Sequence, residues 1–234
     1  MEKKLIEQLN RQSLWLRDSW LWLLHEKILD GGTKTALEVG CGAGHVMEIL
    51  SAYLEVKGVD NDPGMVALCQ KKGLDISLAD GYKLPFENDS FDIVYCSFLL
   101  LWLGEPVKVL KEMSRVSKKW VICLAEPDYG ARIDYPSAME KLGQILVSDL
   151  QSRGADPFIG RKLRSIFSDA GLNAEIGVHH GVWPLEKAGK EILGELEWAE
   201  ESVRGEMKIV VDEALKNGTL LQYNPVFWAV GRKE

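Results

Sequence analysis

Apolar runs alternate with amphipathic segments along the first half of the chain, and this alternation predicts strands that are connected by helices. Runs rich in β-branched residues, each predicting a strand, lie at 35–39, 53–59, 75–78, 91–97 and 120–125. Segments with helical periodicity lie at 45–50, 63–72 and 105–116. Because several of the strands lack polar alternation, we expect an α/β fold with a parallel sheet that helices cover on both faces.

The second half of the chain has a less regular pattern. Residues 126–136 predict a loop, and the segment 185–217 predicts acidic helices that form an added cap rather than a crossover between strands. The remaining predicted elements are helices at 137–152 and 160–170 and strands at 174–182 and 226–230. No flexible linker separates these elements, so we expect one domain over 1–234.

The N-terminal residues 3–29 predict a helix that is apolar on more than one side. One helix cannot bury two apolar faces against one sheet. Trp20 lies on one of these faces and Trp15 on the other, and the aromatic face that is left over predicts a lid over a pocket or an oligomer contact. We accordingly expect residues 1–30 to form an N-terminal helical lid, in a monomer or a homodimer.

Composition and charge narrow the class of protein further. The 234 residues are 46% hydrophobic and 27% charged, and 28 Lys and Arg against 35 Asp and Glu give a net charge of −7. This excess of acidic residues disfavours a nucleic-acid partner, because phosphate polymers would be repelled. The most apolar N-terminal stretch is too short to span a bilayer and does not resemble a secretory signal, so we expect a cytoplasmic protein.

The cysteines and histidines, which often bind metals, do not have the spacing of metal ligands in this sequence. The cysteines, Cys41, Cys69, Cys96 and Cys123, are 28, 27 and 27 residues apart, and we expect buried free thiols. His179 and His180 are consecutive in a predicted strand, so their side chains point in opposite directions. We predict no metal site.

A glycine-rich turn follows the first predicted strand. Gly40, Gly42 and Gly44 have the spacing G-x-G-x-G, whereas a dinucleotide-binding turn would place its third glycine at position 45. Glu38 precedes the turn, where an acid would suit a ligand with a positive charge. Asp60 ends the next strand, where a carboxylate can accept both hydroxyl groups of a ribose.

Together with Asp80-Gly81 and the stretch 78–94, these residues resemble the class I S-adenosylmethionine-dependent methyltransferases. The stretch 78–94 is similar to the one that identifies the ubiquinone/menaquinone-methyltransferase-like branch, also called methyltransferase type 11. The resemblance covers about 34–126, and residues 224–233 resemble that family's closing antiparallel strand. It implies a Rossmann-like, doubly wound, mostly parallel seven-stranded sheet with an antiparallel C-terminal strand. The helical insertions 127–160 and 183–224 would form a substrate cap.

The resemblance also implies a cofactor, S-adenosylmethionine, and the residues that hold it. The product would be S-adenosylhomocysteine. Glycines 40 to 44 would hold the methionine part, Asp60 the ribose, and Asp80 the adenine amino group. The other expected cofactor-binding residues are Glu38, Cys41, Asn61, Met65, Gly81, Cys96, Ser97, Phe98 and, as a clamp for the carboxylate, Arg17.

Methyl transfer from a sulfonium requires in-line positioning of the acceptor and exclusion of water, and it needs a base only if the acceptor must lose a proton. The candidates for a base or for substrate positioning are Glu126, Asp128 and Tyr129, which follow the fifth strand. The other expected substrate-contacting residues are Trp15, Trp20, Trp102, Arg132 and Tyr135.

The acceptor is predicted to be a small molecule of aromatic or apolar character. Methyltransferases that act on nucleic-acid amino groups carry a D/N-P-P-Y/F-like motif after the fourth strand, whereas residues 96–99 here are Cys-Ser-Phe-Leu. Two alternatives stay open at this point. The chain could be a non-catalytic S-adenosylmethionine sensor or partner subunit, or, less favoured by the glycine spacing, an NAD-dependent dehydrogenase.

Overall fold

A computed structural model describes residues 2–29, 32–179, 181–197 and 201–233 of the chain. Its strands are β1 (Thr35–Val39), β2 (Glu55–Asp60), β3 (Ile76–Leu78), β4 (Phe91–Ser97), β5 (Ser117–Pro127), β6 (Ile133–Tyr135), β7 (Asn173–Val178), β8 (Leu221–Tyr223) and β9 (Val226–Arg232). Its α-helices are α1 (Glu2–Trp15), α2 (Arg17–Leu23), α3 (His45–Leu50), α4 (Pro63–Lys71), α5 (Pro106–Val116), α6 (Glu140–Ser152), α7 (Leu163–Asp169), α8 (Leu185–Leu196) and α9 (Glu201–Lys216).

Seven of these strands form one sheet in the order β3-β2-β1-β4-β5-β9-β7. The pairs from β3 to β5 are parallel, and β9 is antiparallel to both of its neighbours. The Rossmann-like fold with an antiparallel C-terminal strand is therefore confirmed. The carboxyl ends of β1, β4, β5 and β7 lie at one edge of the sheet, next to the amino end of β9.

The apolar residues pack on both faces of the sheet. One cluster contains Val94, Val109, Leu110 and Phe167, and the cluster on the opposite face contains Trp20 with residues of β1, β4, β5 and β9. A third cluster joins α8 and α9 to Met139 and Leu142. This third cluster packs the two insertions of the second half of the chain against each other.

Two predicted elements differ from the structure. The predicted helix 3–29 is interrupted, because Leu16 has φ −120° and α2 begins after it, and α2 ends in a π-helical turn over Leu24–Ile28. The bend lets Trp20 and Leu23 become fully buried against the sheet, which a straight helix with two apolar faces would not allow. The two residues after the predicted end of this helix, Asp30 and Gly31, lie outside the described residues.

The predicted loop 126–136 was also wrong in part. Strand β5 continues to Pro127, and Ile133–Tyr135 pairs with Leu221–Tyr223 as a two-stranded antiparallel sheet. The short pairing was missed because three residues carry too little periodicity to predict a strand. Among the described residues, no helix is long and apolar enough to cross a bilayer.

Candidate functional site

The larger of two cavities at the strand edge has a volume of about 340 Å³. Its size falls within the range of about 300 to 1,000 Å³ that small-molecule pockets occupy. Many of its lining residues come from the ends of β1, β2 and β4 and the turns after them. Among those predicted from the sequence are Trp20, Glu38, Gly40, Cys41, Gly42, Asp60, Asn61, Asp80, Gly81, Ser97, Phe98 and Trp102.

The glycine turn borders this cavity with backbone rather than side chains. Gly40, Gly42 and Gly44 have φ values of +70°, +51° and +76°, in the left-handed region that favours glycine. A Cβ atom at Gly40 would also lie 2.6 Å from Leu99 Cδ1. The turn is tied to the next strand because the Gly40 and Cys41 N–H groups both donate to the Val59 carbonyl oxygen, at 2.9 and 3.1 Å.

Asp60 connects the glycine turn to the loop after β2. Its Oδ2 accepts a 2.7 Å hydrogen bond from the Gly42 N–H group, and its Oδ1 accepts a 2.9 Å bond from the Asp62 N–H group. The carboxylate is half-buried and lines the cavity. A carboxylate has about four acceptor positions, so these two bonds leave capacity for hydroxyl groups of a ligand.

Glu38 brings a buried carboxyl group to the floor of the cavity. It accepts a 3.1 Å hydrogen bond from the Tyr95 hydroxyl group, and burial raises its pKa well above the usual value of a glutamate. A cationic ligand would favour the ionised form of this carboxyl group, because opposite charge lowers the pKa of an acid. The position therefore fits a ligand with positive charge.

Four of the expected cofactor residues lie outside the lining of the cavity. Gly44 is at the N-terminus of α3, Met65 is buried on α4, and Arg17 is exposed on α2. Cys96 points into the core next to Cys123, because successive side chains of a strand point to opposite faces and Ser97 takes the cavity side. Direct cofactor contacts of these four residues stay predictions.

Glu126 is buried and holds the segment that follows β4. Its carboxyl oxygens accept hydrogen bonds from the backbone N–H groups of Leu99, Leu100 and Leu101, at 2.8, 2.6 and 3.3 Å. This segment supplies Leu99 and Trp102 to the cavity. Cys96, Cys123 and Glu126 form one group of neighbouring metal-ligand types among the described residues, but the acceptor positions of Glu126 already face these three donors.

The raised pKa of Glu126 predicts how the stability of the protein changes with pH. Burial raises this pKa from about 4.5 to about 8, and the three backbone N–H groups limit the rise. The folded state therefore keeps a proton that the unfolded state loses above about pH 4.5. Relative to Glu126→Gln, whose side chain stays neutral, we expect the free energy of unfolding to fall as the pH rises from about 5 to about 8.

Denaturant titrations of both proteins at several pH values would measure this difference. Far-ultraviolet circular dichroism at each pH would check that both proteins start from the same fold. A difference that stays constant over this pH interval would contradict the prediction and would mean that the Glu126 carboxyl group is ionised throughout in the folded state.

Two other site residues predicted after the fifth strand, Asp128 and Arg132, lie in separate ion pairs. Asp128 is buried in an ion pair with Arg161, whose Nη2 lies 2.7 Å from Asp128 Oδ1. Arg132 is also paired: its Nε donates to Asp134 Oδ2 at 2.7 Å and its Nη1 to Glu195 Oε2 at 2.9 Å. Neither Asp128 nor Arg132 lines a cavity.

Two aromatic residues predicted for the substrate have different surroundings. Tyr135 is 57% exposed and lines neither cavity. Trp102 is 43% exposed, lines the larger cavity and has the Arg153 guanidinium 5.0 Å from its ring centroid. Of the two, only Trp102 is brought to the predicted cofactor region.

The smaller cavity has a volume of about 90 Å³ and is lined by Trp15 and Tyr129, two of the site residues predicted from the sequence. Trp15 packs against Trp183, with ring centroids 5.1 Å apart. The other lining residues are Leu16, His179, Gly181, Val182, Gln222, Tyr223, Asn224 and Val226. His180 of the predicted histidine pair lies outside the described residues.

Sequence reasoning missed several cavity residues. In the larger cavity these include Gln12, Ser13, His45 and Tyr82, and in the smaller one Trp183, Gln222 and Asn224. The adjacent polar residues Gln12 and Ser13, ahead of the aromatic positions of the N-terminal helix, were an available signal. No local pattern could have indicated Gln222, because its position depends on the missed pairing of β6 with β8.

Residues 37–124 match the sequence profile of a family described as a methyltransferase domain. An uncharacterized methyltransferase of Schizosaccharomyces pombe is 33% identical over 164 residues, which are 61% of this chain and 58% of that protein. A demethylmenaquinone methyltransferase of Lysinibacillus sphaericus is 30% identical over 161 residues, which are 58% of this chain and 69% of that protein.

Solved methyltransferase structures share the fold. A geranyl diphosphate methyltransferase in complex with S-adenosylmethionine has a TM-score of 0.58 and 15% identity, over 93% of this chain and 85% of that one. A phosphoethanolamine N-methyltransferase of Haemonchus contortus, in complex with phosphomonomethylethanolamine and S-adenosylhomocysteine, has a TM-score of 0.60 and 16% identity. The alignment with the latter covers 93% of this chain and 53% of that one.

Proposed function

This chain belongs to the class I S-adenosylmethionine-dependent methyltransferases, in the ubiquinone/menaquinone-methyltransferase-like branch, and we propose that it methylates a small-molecule acceptor. Its methyl donor is S-adenosylmethionine. The observation that carries the proposal is the pair of cavities at one sheet edge, one with the cofactor residues and a smaller one beside it. Many small-molecule pockets in open α/β sheets lie at this edge.

The larger cavity fits the cofactor. The glycine turn would leave backbone beside the methionine part, Asp60 has acceptor positions left for the ribose hydroxyl groups, and Asp80, which also lines the cavity, would contact the adenine. Glu38 contributes a buried acid near the glycine turn. When bound, S-adenosylmethionine supplies a methyl carbon that is activated by the positive sulfonium sulfur.

The protein's own contribution is to position the acceptor and exclude water. Trp20 lines the larger cavity from α2, and Gln12 and Ser13 line it from α1. We therefore propose that α1 and α2 act as the lid and that the insertions packed through Met139 and Leu142 act as the substrate cap. This arrangement would leave the acceptor an approach along the S–CH3 bond in a dry site.

No buried carboxylate of the predicted set is free to act as a general base. Glu126 is bonded to three backbone N–H groups and Asp128 to Arg161. Tyr129, the third candidate, lines the smaller cavity, and burial raises its pKa well above its usual value. Tyr129 would therefore act as a neutral hydroxyl group that positions the acceptor.

Tyr129→Phe is expected to lower methyl transfer severalfold and to leave the Kd for S-adenosylmethionine unchanged, because the hydroxyl group is lost from the acceptor cavity only. Tyr135→Phe is the matched control, since Tyr135 loses the same atom but lines neither cavity. Calorimetry would measure the Kd, and release of S-adenosylhomocysteine would measure turnover. Weaker cofactor binding by Tyr129→Phe would contradict the placement of Tyr129 in the acceptor cavity.

The acceptor class can be tested with donor that carries an isotopic label in its methyl group. We expect the label to enter the low-molecular-weight fraction of a cell extract and not the protein or nucleic-acid fractions. Label in a macromolecular fraction would overturn the small-molecule proposal. Binding of the donor without any transfer, together with a stable partner in pull-downs, would favour a sensor or partner subunit.

We further propose a cytoplasmic location, which free buried thiols suit.

A further inference from the structure

The smaller cavity has an unusual lining for a site of its size. Its aromatic residues are Trp15, Tyr129, Trp183 and Tyr223, and none of its lining residues is Lys, Arg, Asp or Glu. The cavity is also polar at specific points. Among the described residues, Gln222 Oε1, Asn224 Oδ1 and Trp15 Nε1 are buried atoms without a hydrogen-bond partner.

The unpaired oxygens indicate the chemistry of a ligand. Unpaired buried polar atoms are rare because each costs about 1–3 kcal/mol. Gln222 is almost completely buried, and its Nε2 donates to Glu195 Oε2 at 3.2 Å. Because the carboxylate of Glu195 only accepts, it fixes the orientation of the amide and leaves Oε1 as the unpaired end. Asn224 Oδ1 is a second unpaired acceptor on a residue that lines the cavity, and both oxygens call for N–H or O–H donors.

The surroundings favour nitrogen over oxygen in the ligand. Aromatic faces stabilise a nearby cation, and the cavity is lined by the rings of Trp15, Tyr129 and Tyr223 besides that of Trp183, which already contacts Lys187 Nζ at 5.2 Å. The guanidinium of Arg132, near Gln222, is paired with both Asp134 and Glu195, so its positive charge is neutralised and does not oppose a cationic ligand. An alcohol would gain little from these features, and the lining offers no carboxylate to take its proton.

The two cavities are neighbours along one helix. Gln12 and Ser13 near the end of α1 line the larger cavity, whereas Trp15 and Leu16 line the smaller one. The smaller cavity also lies at the carboxyl ends of β5 and β7. Strand β4, whose carboxyl end lines the larger cavity, is the neighbour of β5 in the sheet. At about 90 Å³ it can hold a group of about three water volumes, which suits the reacting end of an acceptor.

We propose that the smaller cavity binds the amino group of the acceptor and that the enzyme is an N-methyltransferase of a small amine. The inference rests on the proposed function. Gln222 Oε1 and Asn224 Oδ1 would accept the N–H groups, and Trp15 Nε1 would donate to an acceptor atom elsewhere on the same molecule. An amine that enters as its ammonium ion first releases one proton to water. The amide oxygens then hold the neutral nitrogen through its hydrogens, so its lone pair is left for attack.

The reaction balances without a further reactant. The lone pair of the neutral amine forms a bond to the methyl carbon as the C–S bond breaks, and that bonding pair stays on sulfur, which becomes the neutral thioether of S-adenosylhomocysteine. The nitrogen becomes a methylated ammonium and then releases one proton to water. The positive charge moves from sulfur to nitrogen, where the rings of Trp15, Tyr129 and Tyr223 can stabilise it.

A binding experiment tests this proposal apart from turnover. Into protein saturated with S-adenosylhomocysteine, 2-phenylethylamine and its matched alcohol, 2-phenylethanol, are titrated by calorimetry. We expect the amine to bind at least about tenfold more tightly than the alcohol. Gln222→Leu and, separately, Asn224→Leu should each reduce this preference severalfold, whereas the affinity for S-adenosylhomocysteine should stay unchanged.

The outcomes separate the two proposals. Equal binding of amine and alcohol, or a preference that survives both substitutions, would overturn the assignment of the amine site. Failure of the unmodified protein to bind S-adenosylhomocysteine would instead count against the proposed function. Because Gln222→Leu could unfold the β6-β8 pair, Asn224→Leu at a half-buried position provides a second test. Tyr135→Phe changes a residue that lines neither cavity, so it should keep the amine preference and is the matched control. Circular dichroism would verify that each variant is folded.

Discussion

Replacing Asp60 with alanine is expected to weaken binding of S-adenosylmethionine by at least tenfold, which corresponds to about 1.4 kcal/mol. Two losses add up in this variant. The ribose hydroxyl groups lose their carboxylate acceptor, and the Gly42 N–H group loses the 2.7 Å bond that ties the glycine turn to the end of β2. The backbone that borders the methionine part would then be less well fixed before the ligand arrives.

Asp75→Ala is the matched control for this experiment. It removes the same charge from an exposed carboxylate that pairs with Lys57 before β3, away from the cavity lining. Calorimetry with S-adenosylmethionine would compare the three proteins, and thermal unfolding would show whether each is folded at the temperature used. An affinity of Asp60→Ala equal to that of the unmodified protein would contradict the placement of the ribose at Asp60.

Arg132→Ala is expected to lower the free energy of unfolding by about 3–5 kcal/mol, the cost of removing one partner from a buried ion pair. The side chains of Arg132 and Asp134 are each only 2% exposed. Without the guanidinium, the carboxylates of Asp134 and Glu195 would be left close together with no positive partner. The expected loss is a large part of the 5–15 kcal/mol that stabilises an ordinary domain.

Denaturant unfolding would measure this effect, with Arg164→Ala as the control. Arg164 is an exposed arginine on α7, and its loss should change stability by no more than about 0.5 kcal/mol. The experiment also separates the structural role of Arg132 from the substrate contact that the sequence predicted. Unchanged stability together with lost turnover would favour the substrate contact and would contradict the ion-pair interpretation.

The sequence predicted the lining of the larger cavity far better than that of the smaller one. Glu38, the glycine turn and Asp60 are close in the chain to the strands that carry them, so local periodicity and spacing were enough to predict their positions. The acceptor half depends on contacts between distant segments. Gln222 reaches the smaller cavity only because β8 pairs with β6, and Trp183 only because it packs on Trp15.

Burial explains the other differences. Glu126 and Asp128 were expected as bases because acids after a strand often line a site. The structure instead uses Glu126 to bind three backbone N–H groups and Asp128 to bind Arg161. The sequence does not show which carboxylates are occupied by internal donors, because the donors belong to segments 25 to 33 residues away. For Arg132 the limitation concerns only Glu195, 63 residues away, because its other partner, Asp134, is two residues away.

The two cavities take their residues from different parts of the chain, and this has a consequence for how the enzyme can diversify. All lining residues of the smaller cavity lie outside 37–124, the part that matches the methyltransferase domain, whereas that part supplies most of the larger cavity. If the smaller cavity binds the acceptor as proposed, substitutions at Trp183, Gln222 or Asn224 are expected to change acceptor choice and to leave the larger cavity intact. Directed libraries at these three positions would be a compact starting point for engineering new acceptor ranges.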